Sequence, residues 1–378
     1  MVIIEFIKII ISFLISLVNN KYNKVWFISE RGTDARDNGY FFYEYLKSIH
    51  PDIPKMYCIT PDSVDVEKIS SDNIIKTNSI MHGVLYFSAK YLISTHPYGI
   101  RPKWKGLDFL ERTHVLRPHG KRVFLQHGIT KDFIHGLTAD RLDIDLFCCG
   151  AYPEYEYIKK NFGYEQGIVQ YTGFARFDNL YRNRNNMSDF ILVMPTWRTY
   201  LADIKTDKEF KNTEYFKKYN ELLNNDKLIS FLNEHELKLI FYPHYEIQKW
   251  IHTFQTKSSK IEIADMGNFD VQKLLIKCRI LVTDYSSVFF DVAYMGKPVI
   301  FYQFDYAKYR ETNYKNGFYD YSRGLGPVEY NKNELLKSIF EVVKNGMDPV
   351  YKDRIDGYYK LYDDNNSKRI YERIVKLV

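Results

Sequence analysis

The segment Leu281 to Asp305, LVTDYSSVFFDVAYMGKPVIFYQFD, constrains the fold more than any other stretch of the chain. Arg279-Ile280-Leu281-Val282 opens it as a short apolar run of the kind that suits a buried strand. The polar turn Thr283-Asp284-Tyr285-Ser286-Ser287 follows. Val288, Phe289, Val292 and Ala293 then recur at helical spacing until Gly296 and Pro298 end the pattern, and Val299-Ile300-Phe301-Tyr302 begins another strand. Strand, turn, helix, strand is one βαβ unit, which calls for a parallel sheet covered by helices. Hydroxyl residues fall where the helix begins. Unpaired N–H groups and a partial positive charge at such a place suit a phosphate, and Ser suits simple capping equally well.

The rest of the chain extends the same pattern. Strands are expected at Val25–Ser29, Met56–Thr60, Ala89–Thr95, Arg122–Gln126 and Asp145–Cys149, with a helix over Tyr40–Ile49. His96 to His119, rich in Pro, Gly, Lys and Arg, reads as a surface loop. Tyr181 to Ser188 (YRNRNNMS) is the candidate linker, and a second set of strands starts at Phe190–Met194 and Lys238–Tyr242. Lys205 to Asn225 reads as a loop and a solvated helix, and Asn333 to Lys344 as an amphipathic helix. Tyr306 to Tyr330 is aromatic and Gly-containing and fits the border of a cleft. A length of 378 residues allows two such α/β domains. The expected division is 21–182 and 189–345, preceded by a helix over 1–20 and followed by a helical segment, 346–378, that crosses back.

Residues 2 to 18, VIIEFIKIIISFLISLV, are mostly apolar, but Glu5 and Lys8 interrupt the run and no cleavage site follows. Glu5, Lys8, Ser12, Ser16 and Asn19 fall within an arc of roughly 80° on a helix. A narrow polar stripe beside a wide apolar face, with Lys21 and Lys24 behind it, suits a helix lying in a membrane interface with lysines at anionic headgroups. The same pattern suits docking against the protein's own core or a partner.

Composition narrows the function classes. The net charge of +6 is mild and dispersed, compatible with an anionic substrate or membrane surface and giving no argument for nucleic acid. The four cysteines, Cys58, Cys148, Cys149 and Cys278, fit neither a zinc pattern nor a disulfide framework, which points to a reduced, cytoplasmic setting. Histidines show no metal-ligand spacing, and no phosphate-loop or dinucleotide-binding motif occurs, so no metal or cofactor is expected.

Candidate site residues sit at the carboxyl ends of the expected strands, where open α/β sheets bind ligands. His127-Gly128 follows the Arg122–Gln126 strand. Thr172-Gly173-Phe174-Ala175-Arg176-Phe177-Asp178 is a Gly-containing turn presenting an arginine. Pro195-Thr196-Trp197-Arg198 closes the Phe190–Met194 strand with an arginine suited to a phosphate. Pro243-His244 closes Lys238–Tyr242.

Together, T-D-Y-S-S-x-x-F-D, the following K-P-x-x-F-Y-x-x-D-x-x-x-Y, P-T-W-R, T-G-x-x-R-x-D and the H-G pair resemble the signature of the CDP-glycerol glycerophosphotransferases of teichoic-acid and capsule synthesis. Two places depart from it: the family's Trp-His-Gly-Thr reads Gln126-His127-Gly128-Ile129, and its His-Pro pair is inverted at Pro243-His244. The resemblance implies a GT-B-like fold, two doubly wound parallel-sheet domains facing a cleft, the first for the acceptor and the second for the nucleotide donor. It implies transfer of a polyol phosphate, glycerol phosphate first, from a CDP-linked donor to a hydroxyl of a lipid-linked or polymeric acceptor, with release of CMP, at the cytoplasmic face of a bacterial membrane. His127 would be the catalytic base, with Asp132 next in line, and His244 would steady the phosphate or the leaving CMP. Arg198, Thr283, Asp284, Ser286, Ser287 and Arg176 would hold the donor phosphates. Asp291 fits either a contact to the ribose hydroxyls or a solvent-facing helix carboxylate. Two alternatives share the features: a GT-B sugar-nucleotide glycosyltransferase, and a non-catalytic membrane scaffold.

Overall fold

A computed structural model describes residues 2–312 and 317–377. The chain divides into two compact units. The first comprises residues 1–129, 135–179 and 363–378, and the second residues 130–134 and 180–362. The path thus leaves the first unit for five residues directly after His127-Gly128-Ile129, is back in it at His135, leaves again at Leu180 and returns at Asp363.

The first unit is built on a seven-stranded sheet: β1 (Trp26–Ser29), β2 (Lys55–Ile59), β3 (Ile74–Lys76), β4 (Tyr91–Ser94), β5 (Lys121–Phe124), β6 (Leu146–Cys149) and β7 (Val169–Tyr171), in the order β3-β2-β1-β4-β5-β6-β7. Every pairing is parallel. Side chains alternate between two cores, as a strand period of two requires. Trp26, Ile28, Tyr57 and Ile59 pack under the helices Asn38–Ile49 and Asn366–Ile374. Val25, Phe27, Cys58 and Leu92 pack on the opposite face with the helix Ile80–Ser88.

The second unit holds a six-stranded sheet: β8 (Phe190–Val193), β9 (Lys238–Phe241), β10 (Ile261–Ile263), β11 (Ile280–Thr283), β12 (Val299–Tyr302) and β13 (Val328–Glu329), in the order β10-β9-β8-β11-β12-β13 and again parallel throughout. The βαβ unit read from Leu281–Asp305 is β11, a short helix Phe289–Tyr294, and β12. Two doubly wound parallel sheets are the architecture expected from the sequence. Two segments differ from it. The loop His96–His119 contains the helix Leu107–Arg112. The helix Glu214–Leu223 is no solvated helix, because Tyr215, Tyr219, Leu222 and Leu223 recur on one face and all are buried in the core. Of the aromatic Tyr306–Tyr330 stretch, residues 313–316 lie outside the described residues.

The N-terminal helix, Val2–Val18, docks on the first unit by its polar stripe. Glu5 accepts a hydrogen bond from the Lys105 amide (3.0 Å), Lys8 donates to the Asn78 carbonyl (3.3 Å), and Ser12 donates to the Ile80 carbonyl (3.1 Å). Ser12 and Ile9 are fully buried, and Phe13 meets Phe87 edge-on at 5.4 Å. Close approach depends on Gly83, where a Cβ would lie 2.5 Å from Ser12 Oγ and from the Trp104 ring. The apolar face points outward: Ile3, Ile4, Phe6, Ile7, Ile10, Ile11, Leu14, Leu17 and Val18 are all exposed. Seventeen residues span about 25 Å, short of a ~30 Å hydrocarbon core. Among the described residues no helix is long and apolar enough to cross a membrane. Gly83→Leu is expected to lift this helix from its seat, at a cost of about 1–3 kcal/mol, and to open the Val18–Lys24 connection to limited proteolysis. Unchanged protection there would mean that the polar seat does not hold the helix.

Candidate active site

In the first unit, His127 emerges just beyond the carboxyl end of β5 and is exposed. The backbone before it is strained: Gln126 sits at φ 58°, in the left-handed region. Gln126 is buried, and its side-chain amide donates to the Cys148 carbonyl (2.7 Å) and to Glu154 (3.1 Å). A tryptophan in this place could make no such pair of bonds, so the departure from the family's Trp-His-Gly sequence has a structural use. Asn38 donates to the Gln126 carbonyl (2.7 Å), and Arg176 donates to the His127 carbonyl (3.0 Å).

Arg176 is therefore engaged within the chain. It is buried in the same unit as His127, ion-paired to Asp37 at 2.8 Å, and its work is to hold the histidine loop. Beneath Asp37 lies Glu30, 1% exposed, whose carboxyl accepts from the amides of Arg36 (3.1 Å), Asp37 (2.9 Å) and Tyr40 (2.8 Å). Burial, with Asp37 and Asp34 close by, pushes the Glu30 carboxyl up to about 8. Burial raises Asp37 as well, against the opposing pull of Arg176. His96 lies beside His127, with ring centroids 4.8 Å apart. Its Nε2 accepts from Arg31 Nε at 3.0 Å, and burial, His127 and Arg31 together depress it to about 3, so it stays neutral. Glu30, Asn38 and His96 escaped the sequence reading. Asp37-Asn38 ahead of a helical run was the legible signal, since Asp37 caps the helix Asn38–Ile49.

In the second unit, the carboxyl ends of β8, β11 and β12 converge on Arg198. Its guanidinium is fully buried and forks onto Asp305 (Nε–Oδ2 2.7 Å, Nη2–Oδ1 3.1 Å), while Nη1 reaches Asp284 (2.8 Å) and the Thr196 carbonyl (2.9 Å). The hydroxyls of Tyr200 (2.6 Å) and Tyr285 (3.1 Å) donate to Asp305, and that of Tyr219 (3.2 Å) donates to Asp284. Burial raises the Asp284 carboxyl despite Arg198. Burial also pushes Asp305 up, but Arg198 and the tyrosine hydroxyls outweigh it and hold that carboxyl below its ordinary value.

The expected phosphate set divides by burial. Arg198, Asp284 and Thr283 are 0, 0 and 1% exposed, and Thr283 spends its hydroxyl on the Met194 carbonyl. None offers a surface to a ligand. Asp291 is neither solvent-facing nor open, since only 5% of it is exposed. Ser286 and Ser287 remain half-exposed, and Ser286 Oγ accepts from the Val288 amide at 3.3 Å ahead of the six-residue helix Phe289–Tyr294. His244 is half-buried at the end of β9; its amide donates to the Pro195 carbonyl (3.1 Å), and its Nδ1 accepts from the Glu246 amide (3.3 Å). Asp132, the reserve base, is buried in the second unit between Lys131 and Arg310, which occupy its carboxylate. Among the described residues no cluster of His, Cys, Asp or Glu could hold a metal ion.

Two expectations follow. Arg198→Met strands two buried carboxylates and should lower unfolding stability by about 3–5 kcal/mol, read by denaturant titration; a small loss would show that the triad carries little. A carboxyl held above its unfolded value binds more protons when folded, so Glu30 withdraws stability as pH rises from about 4.5 to about 8. Glu30→Gln should remove that limb, so that the variant gains on the wild type across the window. Parallel stability–pH curves would show that Glu30 does not titrate there.

Comparison with known proteins bears on both units. A family model described as CDP-glycerol:poly(glycerophosphate) glycerophosphotransferase matches residues 10–376. The chain is 34% identical to the minor teichoic acid biosynthesis protein GgaB of Bacillus subtilis (strain 168), over 93% of this chain and 40% of GgaB. It is 23% identical to a teichoic acid poly(glycerol phosphate) polymerase of Bacillus spizizenii, over 96% of this chain and 94% of the polymerase. It thus spans less than half of one relative and nearly all of the other. In fold it is similar to the wall teichoic acid polymerase TagF, with a TM-score of 0.69 at 19% identity over 98% of this chain and 93% of TagF. A UDP-GlcNAc 2-epimerase from Neisseria meningitidis shares the fold more loosely, with a TM-score of 0.58 at 13% identity over 93% of this chain and 99% of the epimerase.

Proposed function

The chain belongs to the CDP-glycerol:poly(glycerophosphate) glycerophosphotransferase family, and on that premise we propose that it transfers glycerol phosphate from CDP-glycerol to a hydroxyl of a teichoic-acid-like polymer, releasing CMP. The observation that carries the reading is a family match running through both units, from residue 10 to residue 376. The relatives named for teichoic acid synthesis support it.

In the proposed reaction, His127 takes the proton of the acceptor hydroxyl. The hydroxyl oxygen bonds to the phosphorus that bears glycerol, the bond from that phosphorus to the bridging oxygen breaks, and CMP departs with that oxygen. An imidazole suits the step because it titrates near neutral pH. Exposure at a strand end, a backbone carbonyl held by Arg176 and a neutral His96 alongside all support His127 in this role. The donor is assigned to the second unit. There Ser286, Ser287 and His244 are the accessible polar side chains among the candidates, and they are the proposed contacts to phosphate or leaving group. Arg198, Asp284 and Asp305 act behind them, holding the turns in place. Little charge needs to move if such donors are already oriented.

We further propose that the protein works at a membrane surface carrying its acceptor, with the helix Val2–Val18 laid in the interface by its outward apolar face. Nine exposed apolar side chains on one short helix exceed what an ordinary soluble surface shows.

A donor panel with CDP-glycerol, CDP-ribitol and UDP-N-acetylglucosamine, assayed for nucleotide release in the presence of acceptor, tests the activity. CMP release from CDP-glycerol is the expected result; UMP or UDP release instead would overturn the donor class. His127→Ala should keep donor affinity by calorimetry and lose turnover by about a hundredfold or more. Near wild-type turnover would remove His127 from the chemistry.

A further inference from the structure

At the carboxyl end of the N-terminal helix the first unit carries a recess of about 460 Å³. Its walls include Ser16 and Leu17 of the helix, Asn20 just beyond it, and Lys90, His119 and Lys121 from the segments that lead into β4 and β5. No carboxylate lines it among the described residues. Lys121 is paired with Asp145 at 3.4 Å, but Lys90 makes no ion pair among the described residues, and its ammonium lies over the Tyr91 ring at 5.1 Å. Lys21 and Lys24 flank the same end of the helix, exposed and likewise without a carboxylate partner among the described residues. The recess therefore opens where the apolar stripe stops, with Leu17 belonging to both. It lies at the amino-terminal ends of the strands, away from the edge that carries His127.

We propose that this recess is a headgroup site for an anionic phospholipid, the lipid's acyl chains lying along the exposed face of the Val2–Val18 helix. The inference rests on the membrane reading given above and adds the chemistry of the lipid. An apolar face that meets acyl chains puts the end of its helix at headgroup depth, and there Lys90 and Lys121 supply positive charge while Ser16 and Asn20 supply neutral hydrogen-bonding groups. Charge complementarity selects a lipid over an apolar protein partner, which would leave the basic recess unpaired. Phosphodiester oxygens also suit lysine, a compact point charge, without the fork geometry that arginine imposes.

Vesicle flotation of the full chain tests the site, using phosphatidylcholine alone and phosphatidylcholine mixed with phosphatidylglycerol. The wild type is expected to bind the mixed vesicles more tightly, with the preference shrinking as salt rises. Lys24→Gln and Lys90→Gln should each weaken binding to mixed vesicles by about fivefold and leave phosphatidylcholine binding unchanged. The pair Phe6→Glu and Ile10→Glu should abolish binding to both vesicle types, with CMP release onto a soluble acceptor as the control for folding. If those two changes leave vesicle binding intact, the membrane reading fails. If they abolish it while Lys24→Gln and Lys90→Gln leave the phosphatidylglycerol preference untouched, the headgroup site fails alone. Displacement of the protein from mixed vesicles by soluble glycerol phosphate would assign the recess to a free anion and overturn the lipid assignment. A dimer in solution, without vesicles, that Phe6→Glu dissolves would give the apolar face to a second copy and overturn it as well.

Discussion

A guanidinium that water does not reach holds the carboxyl edge of the second sheet together. Arg198 follows β8, Asp284 follows β11 and Asp305 follows β12, so one side chain ties three neighbouring strand ends. Removing three charges from water is costly, and such a group does not of itself promise stability. What it secures here is position. The fork onto Asp305 fixes the plane of the guanidinium, the third nitrogen fixes Asp284, and Asp284 in turn accepts from the amides of Thr196 and Tyr285. Tyr285 stacks on Tyr309 at 3.6 Å beneath the guanidinium, which closes the cluster with aromatic faces. The charged members of the P-T-W-R and T-D-Y-S-S motifs are thus internal, and the serine pair, Ser286 and Ser287, is what the surface receives.

The carboxyl edge of the first sheet has a buried ion pair of its own, Arg176–Asp37, but rests chiefly on bonds to backbone. Its loops are held by side chains that bond backbone groups. Glu30 gathers the amides of residues 36, 37 and 40, Asn38 takes the carbonyl of Gln126, and Arg176 takes that of His127. The exposed His127 thus stands on a loop held from below, with a neutral His96 alongside. One unit ties three strand ends to a single guanidinium, and the other holds one loop chiefly by hydrogen bonds to its backbone.

How much of this was legible follows from burial. The interior strands β1, β2, β4, β5, β6, β8, β9, β11 and β12 are largely buried and were legible from their apolar residues. The four that were not are β3, β7, β10 and β13, the edge strands of the two sheets, two or three residues each and partly exposed. An edge strand has one partner and half the burial, so it leaves no hydrophobic signature. The site divides by the same rule. His127, His244 and the serine pair were legible as polar residues at strand ends. The burial of Arg198 was not, because its partners are 86 and 107 positions away, and no local pattern distinguishes an arginine that meets phosphate from one that meets two aspartates.

The N-terminal helix shows the limit of amphipathicity as evidence. A helical wheel separates a polar face from an apolar one but does not say which of them is inside. Here the outcome turned on partners: Lys105, Asn78 and Ile80 offer backbone groups at the spacing of Glu5, Lys8 and Ser12, and Gly83 lets the helices close to the distance those bonds need. Each polar side chain that would otherwise have claimed the solvent side is satisfied within the protein, so nothing polar remains to cover the opposite face. An apolar face left outward in this way costs about 25 cal/mol for each Å² kept in water, a penalty with no return inside the folded chain. Any surface that takes that face up removes the penalty, while the bonds of the polar stripe keep the helix seated on the chain.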